Sequence, residues 1–132
     1  MLKKTITYTD YNGNERTEDF YFNLTKPELI KMEYEFEGGL SNKLKAIKDA
    51  DHKTIIDLFE FIVTSSYGEK SSDGKHFVKN EKIREDFLQS EAYSVLFMEL
   101  LTDSDKANSF ISGVIPDVSS LKTKVDELPE PR

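Results

Sequence analysis

The chain has 132 residues, a net charge of -7, nine Phe and six Tyr. That size fits one domain able to bury roughly two thirds of its unfolded surface without a disulfide or metal. The absence of cysteine excludes disulfides, thiolate zinc sites and thiol nucleophiles together, and the acidic balance disfavours a phosphate-backbone ligand.

Residues 3 to 11 read as a strand, with Ile6 and Tyr8 alternating with Thr5, Thr7 and Thr9. Asn12-Gly13 predicts a type I′ turn, because both residues tolerate the positive φ that turn requires. Residues 15 to 24 read as the return strand, with Phe20, Phe22 and Leu24 on one face and Tyr21 and Asn23 on the other. Thr25-Lys26-Pro27-Glu28 has the spacing of a capping box. It predicts a helix carrying Leu29, Ile30, Met32, Glu33 and Phe36 that ends at Gly38-Gly39.

Ser41 is the expected cap of a short helix with Leu44 and Ile47. Asp51 is the expected cap of a longer, central one. There Ile55, Ile56, Phe59, Ile62 and Val63 keep helical spacing, and Asp57, Glu60 and Ser66 are expected to face water. Residues 67 to 80 read as a polar interruption with a turn at Asp73-Gly74, in which Phe77 and Val78 form a short strand or pin the loop. Asn80 caps a helix with Ile83, Phe87 and Leu88. Ser90 starts another with Ala92, Tyr93, Leu96, Phe97, Leu100 and Leu101. The run Thr102-Asp103-Ser104 caps a last helix with Phe110, Ile111 and Val114, limited by Gly113 and Pro116.

After Pro116 the apolar pattern thins to Val118, Leu121, Val125 and Leu128. Residues 117–132 read as a flexible tail, with a short amphipathic helix over 118–128 that orders on binding as the alternative. The expected fold is therefore α+β: an N-terminal β-hairpin, then a compact bundle of about five or six short helices, then the tail. One domain over 1–116 is expected, with the hairpin in 1–24 and the helical part in 25–116.

Candidate chemistry fails its spacing tests. Gly68 and Gly74-Lys75 mimic a phosphate loop, but the spacing is off by one and His76 stands where Ser or Thr should bind magnesium. Asp103 and Asp105 suggest a calcium loop, yet Ala107, Asn108 and Val114 occupy positions that need a ligand, Gly and Glu. Helix capping explains the two aspartates better. His52 and His76, the two histidines, have no metal-binding spacing. Asn23-Leu24-Thr25 matches a glycosylation sequon by chance.

Lys70, Lys75, Lys79, Lys82 and Arg84 form the one basic concentration, interleaved with Glu69, Asp73, Glu81 and Glu85 so that the field largely cancels. Tyr8, Tyr11, Tyr21 and Tyr34 either decorate a partner surface or line the hairpin-to-helix core. No residue is assigned to catalysis, a cofactor or a metal, and none to partner binding. Met1-Leu2-Lys3-Lys4-Thr5 lacks the apolar stretch of a signal peptide. The longest apolar run, Ile55 to Val63, is broken by Asp57 and Glu60, short of the ~20 residues a membrane span needs.

Three blocks of sequence carry a resemblance. Lys3-Lys4-Thr5-Ile6-Thr7-Tyr8-Thr9-Asp10-Tyr11-Asn12-Gly13-Asn14 is followed by Phe20-Tyr21-Phe22-Asn23-Leu24-Thr25-Lys26. Ser66-Tyr67-Gly68-Glu69-Lys70-Ser71 is followed by Phe87-Leu88-Gln89-Ser90-Glu91-Ala92-Tyr93. Leu96-Phe97-Met98-Glu99-Leu100 is followed by Phe110-Ile111-Ser112-Gly113-Val114-Ile115-Pro116. Together, over about residues 3 to 116, they resemble the tail assembly chaperones of siphophages and prophages of Gram-positive bacteria.

The resemblance implies a non-enzymatic protein of the host cytoplasm, absent from the finished virion. Its implied partners are the tape measure protein and, with it, the tail tube protein, with no cofactor, nucleic acid or membrane. It also implies a frameshifted longer product, for which Ser120-Leu121-Lys122 is a permissive site. The alternatives are a virion structural protein at the head–tail joint or minor tail, and a small acidic regulatory or host-defence-inhibiting protein.

Overall fold

The computed structural model describes residues 1–36, 38–46 and 51–115. β1 (Leu2–Thr9) and β2 (Glu15–Phe22) pair antiparallel, from Leu2 opposite Phe22 to Thr9 opposite Glu15. Alternation works as expected: Ile6, Phe22 and Leu24 are buried, while Thr5, Thr7 and Thr9 are exposed. The type I′ turn is not formed. Gly13 takes φ 84, but among the described residues every positive φ belongs to glycine, so Asn12 does not supply the second positive φ.

Instead the loop runs from Asp10 to Asn14. The Gly13 amide donates to the Asp10 carbonyl at 3.0 Å. The Asp10 carboxylate accepts the amides of Asn12 and Asn14, each at 2.9 Å. An aspartate that ties down its own turn overrides the Asn-Gly preference.

The polar interruption holds two further strands. β3 (Tyr67–Lys70) pairs with β2, and β4 (Phe77–Val78) pairs with β3, giving one antiparallel sheet in the order β1-β2-β3-β4. Of the two alternatives for Phe77 and Val78, the short strand is the one formed. β3 is an addition to the expected hairpin, made by register rather than apolar content. Gly68 is buried because a Cβ there would stand 2.7 Å from the Phe77 ring and 2.8 Å from the Val78 carbonyl.

Six helices lie among the described residues, most of them started by local signals. α1 (Lys26–Glu35) starts at the predicted capping box: Glu28 N–H donates to the Thr25 hydroxyl, and the Glu28 carboxylate accepts from Thr25 N–H. It ends at Phe36, in extended conformation, before the glycines. Gly38 (φ 78) and Gly39 (φ 88) shape the connection rather than the helix end.

α2 (Leu40–Lys45) has Gly39 at its N-cap, so Ser41 lies inside the helix and does not cap it; Ile47 falls outside the described residues. α3 (His52–Ser66) is capped by Asp51, whose carboxylate accepts the Thr54 amide. Asn80, Ser90 and Asp103 cap α4 (Glu81–Leu88), α5 (Glu91–Thr102) and α6 (Ser104–Val114) as predicted.

Two expectations for α3 are reversed. Ser66 does not face water; it is fully buried and its hydroxyl donates to the Ile62 carbonyl at 2.6 Å, so helix back-bonding satisfies it. Ile56 is exposed, whereas Leu58 joins Phe59, Ile62 and Val63 in the core. Asp57 and Glu60 are exposed as expected.

One face of the sheet packs on helices and the other meets solvent. β1 lies across α5, with Lys4 Nζ 2.8 Å from the Glu99 carboxylate. Phe22, fully buried, meets Phe87 of α4 and Phe110 of α6 edge-on. α3, α5 and α6 meet at Phe59, Ile62, Val63, Leu100, Ala107, Phe110 and Ile111, leaving no space for a water molecule. Residues 117–132, read from sequence as a flexible tail, lie outside the described residues.

Candidate partner-binding surface

The basic concentration dissolves on folding. Lys79 points inward: its ammonium donates to the Asn23 carbonyl (2.7 Å), the Ser65 carbonyl (2.9 Å) and the Glu28 carboxylate (2.8 Å). Burial pushes the Glu28 carboxyl up, yet the Lys79 ammonium and Thr25 hold it below its ordinary range. Lys82 pairs with Asp86 one turn on, and Lys70 stands 4.6 Å over the Tyr21 ring. Only Lys75 and Arg84 of the set remain exposed with no partner described here, too few for a phosphate-binding stripe.

The other candidates also take structural roles. Asp103 accepts two amides at the start of α6. Gly74 (φ 75) closes the β3–β4 hairpin beside Asp73, whose carboxylate accepts the Ser71 hydroxyl and the Lys75 amide. The strand–loop–helix of a phosphate site is therefore missing here. His52 and His76 are both exposed, and the described residues hold no metal-sized cluster of His, Cys, Asp or Glu.

The tyrosines divide. Tyr8 packs on Phe20 and donates to the Glu18 carboxylate, which raises its pKa. Tyr11, at the hairpin tip, reaches Glu91 and is 76% exposed; Tyr34 is 52% exposed. Tyr67, which sequence reading passed over, stacks on Phe87 at 4.1 Å between ring centres, and burial lifts its hydroxyl to about 12.

Among the described residues, two open concavities stand out. One, of about 430 Å³, lies where α1, α2 and α3 meet; Phe36, Leu58 and Phe61 form its apolar wall, and Glu35, Asp57 and Lys43 its rim. Phe36 and Phe61 stand perpendicular at 5.2 Å. The other, of about 410 Å³, is a notch between diverging strands, walled by Glu18 to Tyr21 of β2 and Tyr67 to Lys70 of β3. Neither brings together a nucleophile, a base and an orienting group. Helical periodicity marked Phe36 as an apolar position, but a notch made by strand divergence leaves no periodic signal.

The family model described as phage tail assembly chaperone matches residues 1–130. A calpain-like protease, palB/RIM13 of Debaryomyces hansenii, is 33% identical over 90 residues, which are 68% of this chain and 11% of that protein. The chain thus spans a small fraction of that relative. No solved structure matches the chain. No helix among the described residues is long and apolar enough to cross a membrane.

Proposed function

Because this chain belongs to the phage tail assembly chaperone family, we propose that it binds the tape measure protein of its phage in the host cytoplasm and promotes assembly of the tail tube around it. The role is non-enzymatic: binding covers apolar surface of the partner until the tube encloses it. The observation that carries this reading is the family match across residues 1–130.

Physical features support it. A helical partner exposes apolar stripes, and a cleft walled by Phe36, Leu58 and Phe61 can take an apolar side chain in the manner of helix-in-groove recognition. The net charge of -7 keeps such a complex dispersed.

Co-expression with the tape measure protein encoded by the same phage is the test. The expected result is that the tape measure protein becomes soluble and copurifies with this chain. Equal solubility without the chain, and no copurification, would overturn the reading.

A further inference from the structure

The fork between β2 and β3 exposes backbone groups that the described chain does not use. The Asp10 amide donates to the Asn14 carbonyl, and the Asn23 amide to the Ser66 carbonyl. In an antiparallel ladder, successive residues turn their N–H and C=O to opposite sides. Both bonds therefore set the same phase. Arg16, Glu18, Phe20 and Phe22 turn their backbone groups toward β1; Glu15, Thr17, Asp19 and Tyr21 turn theirs toward β3.

β3 meets β2 only at Tyr21 and Phe22. Past Gly68 it turns to β4, with Glu69 opposite Val78. The N–H and C=O of Asp19, at the notch, and of Thr17 and Glu15, beyond it along the same edge, therefore turn away from β1 without a ladder partner among the described residues.

We propose that this open edge of β2 docks an extended cationic segment of a partner polypeptide, which adds a strand beside Glu15–Asp19. Charge selects the occupant. Glu15, Glu18, Asp19 and Glu69 surround the edge. Its two cations are already engaged, Arg16 by Asp10 at 2.6 Å and by Glu18 at 3.6 Å, and Lys70 over the Tyr21 ring, which leaves Glu15, Asp19 and Glu69 as the excess negative charge. A second copy is disfavoured, because antiparallel self-pairing about Thr17 would set Glu15 against Asp19, like charges face to face, while Arg16, which would meet Glu18 in the same pairing, is already held by Asp10. Alternation then defines the ligand: basic residues toward Glu15 and Asp19, apolar residues toward the half-buried Phe20 and Tyr67.

This inference rests on the chain being a partner-binding protein, and names where an extended part of the partner sits. The probes are two short synthetic peptides, one alternating lysine with valine and one alternating glutamate with valine. Amide exchange is followed residue by residue on the full chain. The lysine peptide should slow exchange at Thr17 and Asp19 by about tenfold, and added salt should reverse this. The glutamate peptide should do nothing.

Thr17→Pro removes an outward N–H that β1 does not use, which an open edge tolerates. It should abolish the effect with the fold retained by circular dichroism. If that variant does not fold, Glu15→Lys with Asp19→Lys serves instead, and should transfer the preference to the glutamate peptide. Unchanged exchange at Thr17 and Asp19 with the lysine peptide overturns the inference. So does slow exchange there in the peptide-free chain, which means the edge is already covered. The two readings separate in co-expression. If the chain holds the tape measure protein and Thr17→Pro holds it equally, the edge is refuted alone. If the chain never holds it, the preceding reading fails while the peptide result stands.

Discussion

Lys79 lay in a stretch that looked like a solvated basic run, yet its side chain is only 17% exposed and has three oxygen partners. A sequence reader sees charge density; which lysine folds inward depends on carbonyls at residues 23 and 65, far away along the chain. Lys79→Met keeps the stem but strips three acceptors of their donor. It should cost about 2–3 kcal/mol in denaturant unfolding, the order expected for a charged hydrogen-bonding group lost from a partly buried site.

Tyr67 makes the residue scale visible in pH dependence. Burial lifts its hydroxyl from an ordinary 10.0 to about 12, as it lifts that of Tyr93. An acid whose folded pKa is raised contributes stability fully below its unfolded value and loses it as pH rises through the folded one. Stability should thus fall from about pH 10 toward pH 12. Tyr67→Phe should flatten that fall, read by circular dichroism along an alkaline titration.

Among the elements, helices were more legible than strands, for a physical reason. A cap is a local bond: Thr25, Asp51, Asn80, Ser90 and Asp103 each hold an amide two or three residues on, so a short window contains cause and effect. β3 has no such window. Tyr67-Gly68-Glu69-Lys70 becomes a strand because Tyr21 and Phe22 wait opposite Gly68 and Tyr67. The same dependence on distant pairing hid the notch, while the Phe36 side of the α1–α3 cleft was visible as an apolar helical position.

Gly68 is the element's weak point. It is not a turn glycine; it leaves room for the Phe77 ring and the Val78 carbonyl. Gly68→Ala should push β4 away and lower stability by about 1–3 kcal/mol, as overpacking does. Faster amide exchange at Ser71, whose amide donates to the His76 carbonyl, would locate the damage in the β3–β4 hairpin.

At the scale of the molecule, the α+β architecture was readable because composition, alternation and capping agreed. How the sheet sits on the helices was not, since it depends on contacts such as Phe22 with Phe87 and Phe110. Phe22 is fully buried at that junction. Phe22→Ala should cost about 3–5 kcal/mol, a large part of the ~5–15 kcal/mol typical of a domain. The expected readout is a lowered unfolding midpoint common to all structural probes, because sheet, α4 and α6 lose the same anchor. Loss of the β-signal alone, with helices unfolding later, would show the two layers to be independent.

The seating of β1 sets an order of events during synthesis. Leu2 packs so closely on α6 that a Cβ at Gly113 would stand 3.0 Å from its methyl group. Lys4 meets Glu99. β1 therefore leaves the ribosome well before the two helices, α5 and α6, that seat it. Until those helices emerge, the nascent hairpin keeps its apolar face, with Ile6 and Phe22, uncovered. A member of a chaperone family must itself wait, half-made, for the helices that cover its first hairpin.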